Sequence, residues 1–411
     1  MPEKRLVLAN CGVIDPRDIG TCLETGGFGA LEKARNSMTP EQVIEVVKAS
    51  GLRGRGGAGF GCGLKWELAR KAQGDEKFLI CNADEGEVGT FKDRFILEND
   101  PFTLIEGMAI AGHAIGAGTA YIYLRAEYHH LLDLLVDAIR QVAERGFLEH
   151  MHVEVREGAG AYICGEESAL MNSIEGRRGE ARFRPPFPPT QGLFGLPTII
   201  NNVETLMNIP PIIARGPQWF EQIGTSHSKG TKVFSISGDV ARAGVYELVM
   251  GSPLRELVTD LAGARDVKMI QVGGASGRIV PVEMLETPLC YEAVLGSGGI
   301  TVFDESRSAI DIVHRCVAFL AEESCGLCTP CRDGTEVMVE IFERLSKGDG
   351  AEPDIRALED LSEVMMLSSL CGLGQGAPIP VLDSLRHFRR EYDDRIGKSL
   401  LLRRLPGVRY S

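Results

Sequence analysis

Apolar and polar positions alternate differently in four stretches of the chain. Between 39 and 49 the apolar residues recur at helical spacing. Thr39-Pro40-Glu41-Gln42 opens this stretch with an N-cap hydroxyl, a proline at the first helical position and a glutamine that completes a capping box. From 51 to about 230, short apolar runs at 77–81, 119–124 and 152–156 alternate with helical patterning such as 131–145. That is the βα rhythm of an α/β domain with a parallel sheet. The uncharged run 107–124 holds His113 and several glycines and falls short of the ~20 apolar residues of a spanning helix, so it predicts a buried helix entering a strand. Between 231 and 303 the runs 233–238, 244–248, 268–274 and 300–303 read as strands with glycine turns, with one helix near 254–262, a small α+β domain. From 304 onward the periodicity is helical, at 309–323, 335–345 and 355–367. The expected division is therefore 1–50, 51–230, 231–303 and 304–411.

Composition sharpens this picture at three points. The 44 basic and 57 acidic residues give a net charge of −13, the wrong sign for a protein that tracks nucleic-acid phosphates. The opening ten residues carry charges and only a brief apolar run, unlike a secretory signal. Eleven cysteines, an odd number, do not suggest a disulfide framework, so a reducing cytosol with thiols available for metal is expected.

Three of those cysteines form Cys325-Gly-Leu-Cys328-Thr-Pro-Cys331, and Cys371 follows in Ser369-Leu-Cys371-Gly. A C-x₂-C-x₂-C run plus a distant fourth thiol suits a [4Fe–4S] cluster. Tetrahedral zinc is the alternative, although zinc ribbons usually present two separated C-x₂-C knuckles. The other seven cysteines read mostly as small buried apolar residues.

The loop Gly51 to Trp66 is rich in glycine, with G-x-G-x-x-G at 54, 56 and 59. A helical segment precedes it where a dinucleotide fingerprint needs a strand, and Lys65 lacks the neighbours of a Walker A lysine. The glycines still imply close backbone approach to a flat or phosphorylated ligand, with Arg53, Arg55 and Lys65 as cations. A plain flexible loop is the other reading. At the carboxyl end of the 78–81 strand, Asn82 with Asp84, Glu85 and Glu87 could hydrogen-bond ribityl or ribose hydroxyls, or form only a solvated turn. A second glycine loop carries Tyr162 and Gly165 into a helix that starts near Glu166. Glu166 and Glu167 in its first turn would also complement the helix dipole without any ligand. Asn201, Asn202 and Thr205 open a further helix suited to seating a phosphate, and Phe187, in the stiff Arg184-Pro-Pro-Phe-Pro-Pro segment, could stack on a ring.

Taken together, the strings at 51–66, 82–94, 158–175, 197–206 and 324–332 with Cys371 closely resemble the NADH-oxidising flavoprotein subunit of respiratory complex I. Its relatives occur in NAD-reducing and bifurcating hydrogenases and in NAD-dependent formate dehydrogenases. The resemblance implies an α/β architecture with a Rossmann-like FMN domain, a ubiquitin-like β-grasp domain and a C-terminal helical bundle carrying one [4Fe–4S] cluster. It implies that Gly54, Gly56, Lys65, Asn82, Asp84, Gly165, Asn201, Asn202 and Thr205 hold FMN. Phe60, Glu87, Tyr162, Glu166, Glu167 and Phe187 would line the place of NAD(H). A hydride would pass between nicotinamide and flavin, and single electrons through the cluster to a partner subunit. Glu87 and Glu167 would orient the carboxamide and, being anionic, disfavour negative charge on the flavin. The expected partners are a small thioredoxin-like [2Fe–2S] subunit and a larger iron–sulfur or catalytic subunit, with no direct membrane span. The expected location is the cytoplasm, or the peripheral arm of a membrane-associated complex. Two departures, Gly61-Cys62 and Leu68 in place of an aromatic, leave a second reading: an electron-transfer subunit whose nucleotide site is inactive or prefers NADP.

Overall fold

The computed structural model describes residues 3–396, so the end of the last expected block, 397–411, lies outside the described residues. Four strands, β1 (Phe78–Ala83), β2 (Thr119–Leu124), β3 (His152–Glu157) and β4 (Thr198–Asn202), form a parallel sheet in the order β3-β2-β1-β4. Strand β1 is central and buries both faces, as parallel strands do. Leu79, Cys81 and Ala83 join one core, and Phe78 and Ile80 join another. The β1–β4 register sets Asn82 opposite Asn202, so the loops that follow these strands leave the sheet at one edge. The expected buried helix is Pro101–Ile115, and it runs on through Gly116 into β2.

A second, mixed sheet contains β5 (Thr231–Gly238), β6 (Gly244–Val249), β7 (Val267–Val272), β8 (Arg278–Pro281) and β9 (Gly299–Asp304) in the order β6-β5-β9-β7-β8. Strand β8 is too short and too polar at its start to show in the sequence pattern. The helix expected near 254–262 is a π-type turn of helix, Glu256–Leu261. Beyond β9 come the helices Ala309–Glu322, Thr329–Lys347, Glu352–Ser368 and Pro378–His387. The second of these begins earlier than its apolar periodicity, directly after Cys328, with Pro330 in its first turn.

Residues 1–50 are not an appendage, as far as they are described. Val7, Leu8, Phe28, Leu31, Val43 and Val47 lie in the same core as the buried helix. The capping box at Thr39 forms, with the helix Pro40–Ala49 behind it. The buried carboxylate of Glu247 on β6 accepts the backbone N–H groups of Leu6, Val7 and Leu8 at 2.9–3.0 Å, fastening this segment to the second sheet. The seven dispersed cysteines are all buried, as small apolar residues are.

Candidate functional site

The carboxyl edge of the parallel sheet opens on a cleft of about 470 Å³. Its first wall is the glycine loop at Gly56, Gly57 and Ala58. Its floor is Asn82, Asp84, Lys92, Asp93 and Asn202, and its third side is Tyr162, Gly165 and Glu166. Gly273, Ser276, Gly296 and Ser297 of the second sheet's loops close it. Gly86 explains one close approach: a Cβ there would lie 3.0 Å from the Tyr162 ring.

Asn82 is held from both ends. Its Nδ2 donates to Gly165 O at 2.9 Å and its Oδ1 accepts Asp84 N–H at 3.0 Å. That aims Asp84 into the cleft, where burial pushes its carboxyl up to about 7. Among the described residues Asp84 Oδ2 is buried with no hydrogen-bond partner, as are Thr90 Oγ1 and Ser297 Oγ of the same cleft lining. Buried polar atoms seldom stay unpaired. Three of them around one glycine-walled cleft fit a hydroxyl-bearing, phosphorylated ligand such as FMN.

Glu87 joins the loop after β1 to the loop after β7. It accepts Tyr162 Oη–H at 2.9 Å and Ala275 N–H at 2.8 Å. Burial nevertheless pushes it up to about 7. Glu167 keeps its charge. Burial would raise it, but Lys65 Nζ at 3.0 Å and Arg184 Nη2 at 3.1 Å outweigh that and hold it below the usual carboxylate range.

Several expected ligand residues stand elsewhere or spend their polar atoms within the protein. Arg55 is fully buried and spends its guanidinium on the carbonyls of Arg53, Lys229 and Thr231. Arg53 lies 4.0 Å over the Tyr291 ring, and Gly54 donates to Phe60 O. Neither arginine is the cleft's cation. That place belongs to Lys92, which the sequence pattern does not single out. It is buried on the floor at 2.6 Å from Asp93 and 3.1 Å from Glu204, and these acids outweigh its burial and raise its pKa. Glu85 turns its carboxylate away to cap the next helix, accepting Asp93 N–H, Arg94 N–H and Tyr128 Oη–H. Asn201 accepts from Trp66 Nε1 at 2.9 Å, and Thr205 Oγ1 accepts from Arg55 N at 2.8 Å, both behind the cleft wall. Asn202 does face it, while also capping the helix Val203–Met207. Glu166 caps the helix Glu167–Ile174 through Ser168 N and Ala169 N. Phe60 and Phe187 stand half exposed, outside the cleft lining. Lys92 and Asp93 give no signal in sequence because an adjacent cation and anion at a helix start look like a solvated surface.

The structure gathers Cys325, Cys328, Cys331 and Cys371 around one small pocket walled by Ile163, Leu327, Leu370 and Leu373. Four thiols lining one pocket are a donor set suited to iron or zinc. A cubane takes four thiolates, one at each iron corner, and four cysteines line this pocket. Ile163 and Leu373 line both this pocket and the cleft.

Residues 47–211 match the Nuo51 FMN-binding domain, and residues 311–395 match the NADH-ubiquinone oxidoreductase-F iron–sulfur binding region. The F 2 subunit of the NADH-quinone oxidoreductase of Rhizobium meliloti is 44% identical over 405 residues, covering 94% of this chain and 96% of the relative. The chain belongs to this flavoprotein family. The NADP-reducing hydrogenase subunit HndC of Solidesulfovibrio fructosivorans is 42% identical over 409 residues, 95% of this chain and 83% of that one. A crystal structure of an NAD⁺-reducing [NiFe]-hydrogenase in the H₂-reduced state superposes with a TM-score of 0.86 at 43% identity, covering 90% of this chain and 64% of that one. The family match favours an iron–sulfur cluster over zinc within residues 311–395. As a member, the chain is an NADH dehydrogenase-type flavoprotein that carries FMN and a [4Fe–4S] cluster and acts on NAD(H). Among the described residues no helix is long and apolar enough to cross a membrane.

Proposed function

We propose that the 470 Å³ cleft seats FMN with the nicotinamide of NAD(H) above it, and that Cys325, Cys328, Cys331 and Cys371 hold the cluster. The observation that carries this reading is the wall shared by cleft and cysteine pocket. With Ile163 and Leu373 bordering both, electrons leaving the cleft have one layer of side chains to cross. Bound FMN supplies the exchange between paired and single electrons, and the protein supplies position and electrostatics. Asp84 offers its unpaired oxygen to ligand hydroxyls, and Lys92 places a buried cation on the floor. Gly56 and Gly165 let backbone approach closely. Lys65 and Arg184 fix Glu167 at the mouth as a permanent anion, while Glu87 holds or releases a proton there as its partners change. Phe60 and Phe187 border the mouth as exposed ring faces for the adenine half of the nucleotide.

The working division is a flavin domain over 51–230, built on residues 1–50, a β-grasp domain over 231–303 and a cluster domain from 304. Electrons leave to further subunits, a thioredoxin-like [2Fe–2S] protein and a larger iron–sulfur or catalytic one, on the cytoplasmic side. Purified holoprotein titrated anaerobically with NADH, and separately with NADPH, tests the reading. Flavin bleaching by NADH is expected. Bleaching by NADPH alone, or by neither, favours the alternative that Leu68 and Gly61-Cys62 raised.

A further inference from the structure

The cluster loop is gripped from the flavin domain. Arg178, in the loop after the helix Glu167–Ile174, donates from Nη2 to the carbonyl of Cys325 at 2.7 Å. The same peptide group presents Gly326 N–H on its other side, and this donates to Ser324 Oγ at 3.2 Å. Ser324 Oγ in turn lies 3.3 Å from Cys331 Sγ. A cysteine bound to iron as thiolate can only accept, so the serine hydroxyl, already accepting from Gly326, must donate. Cys331 is buried, so this contact is shielded from water. Glu323 is pinned as well, its carboxylate accepting Tyr162 N–H at 2.9 Å, which fixes the residue before the serine.

We propose that Arg178 and Ser324 are positioning residues that set the cluster's reduction potential, through a hydrogen-bond relay running from the flavin domain to the sulfur of Cys331. This rests on the reading of Cys331 as a cluster ligand. Cluster potentials respond to hydrogen bonds on the sulfurs and to nearby charge. Adding one electron adds one negative charge, so a donor at sulfur and a cation behind it both favour the reduced form. A guanidinium on the Cys325 carbonyl polarises the peptide, strengthens Gly326 N–H as a donor and passes the effect to the hydroxyl, as chained hydrogen bonds do. Arg332 also touches this loop, at Gly326 O (3.1 Å), but its charge is matched by Asp333 at 2.8 Å. Arg178 has no described carboxylate within ion-pair distance.

The test is a redox titration of the holoprotein, following the cluster by electron paramagnetic resonance and the flavin by absorbance. Ser324→Ala should lower the cluster midpoint by roughly tenfold in the equilibrium constant, 59 mV for one electron. Arg178→Met should lower it by less. The double variant should fall no further than Ser324→Ala, Ser324→Thr should restore the midpoint, and the flavin midpoint should stay in place throughout. Unchanged cluster midpoints, or additive shifts in the double variant, overturn the relay. If Ser324→Ala fails to retain the cluster, the exposed Arg178→Met decides alone: a fall supports the relay, no fall overturns it. A wild-type protein without any cluster signal overturns the ligand reading instead.

Discussion

Two sets of buried charges lie side by side under the carboxyl edge of the sheet and behave in opposite ways. Beneath the cleft floor, Glu204 meets Lys232 at 2.5 Å and Lys92 at 3.1 Å, and Asn202 Nδ2 donates to Asp93 at 2.7 Å. All four ionic side chains of that network are almost fully buried, and each has a partner. Burial alone would raise Glu204, but Lys232, Lys92 and Arg55 outweigh it, and its pKa is lowered. In the cleft itself, Asp84 and Glu87 have no cation in contact among the described residues, and burial pushes both up to about 7. The lesson is that burial by itself does not mark a site. In the cleft it is the unpartnered oxygen of Asp84, rather than burial, that points to a ligand.

The largest expected effect comes from breaking the paired set. Glu204→Ala leaves two lysines buried without their acid and should cost about 3–5 kcal/mol, a loss typical of a broken buried pair. Thermal unfolding of the purified chain reads it, and a shift no larger than that of a surface variant would erase the contrast between the two sets.

Next is Cys328→Ala. It should abolish the cluster signal and electron delivery to an artificial one-electron acceptor, while NADH still bleaches the flavin. Loss of bleaching in a variant with native circular dichroism would show that cleft and pocket do not divide the work.

The two sets should also respond oppositely to pH. Asp84 and Glu87 have folded pKa values above the ordinary carboxylate range, so the stability they contribute is fully present below about pH 4. It is lost as pH rises toward their folded values of about 7. Glu204, lowered by its cations, contributes stability above its ordinary pKa and loses it as pH falls. In flavin-free protein, Asp84→Asn should therefore flatten the decline in melting temperature between about pH 4 and 7. A variant profile parallel to wild type would mean that Asp84 is not unpaired in solution.

The smallest effect belongs to Phe187→Ala. The ring is 55% exposed, so stability should change by less than about 0.5 kcal/mol. The KM for NADH should rise with kcat nearly unchanged, and an unaltered KM would remove Phe187 from the nucleotide's path.

How far the sequence revealed this molecule depends on the range of each interaction. Short-range signals were legible: the capping box at Thr39 and the strand leading into Asn82 form, and the cysteine triplet and part of the glycine loop each line a pocket. The parallel sheet and the helical end followed from periodicity alone. Partners distant in sequence were not legible. Arg55 reads as a phosphate cation until the carbonyls of Lys229 and Thr231 arrive from the far side of the chain. Glu85 reads as a ligand acid until it is seen capping the helix Lys92–Asn99 and taking the Tyr128 hydroxyl. Lys92 is not singled out by any local pattern, and it is Glu204, over a hundred residues on, that pairs with it. Each of these depends on which side of a turn a side chain leaves, and no local pattern fixes that.

The central claim is that cleft and cysteine pocket work as one path with a shared wall. Anaerobic titration of the holoprotein with NADH, recording flavin absorbance and the cluster's paramagnetic resonance on the same samples, addresses it directly. Flavin bleaching accompanied by a cluster signal in wild type, and bleaching without that signal in Cys328→Ala, is the predicted result. A flavin that bleaches fully while an intact wild-type cluster stays oxidised, in the presence of excess NADH and a cluster potential above that of the NADH couple, would contradict it.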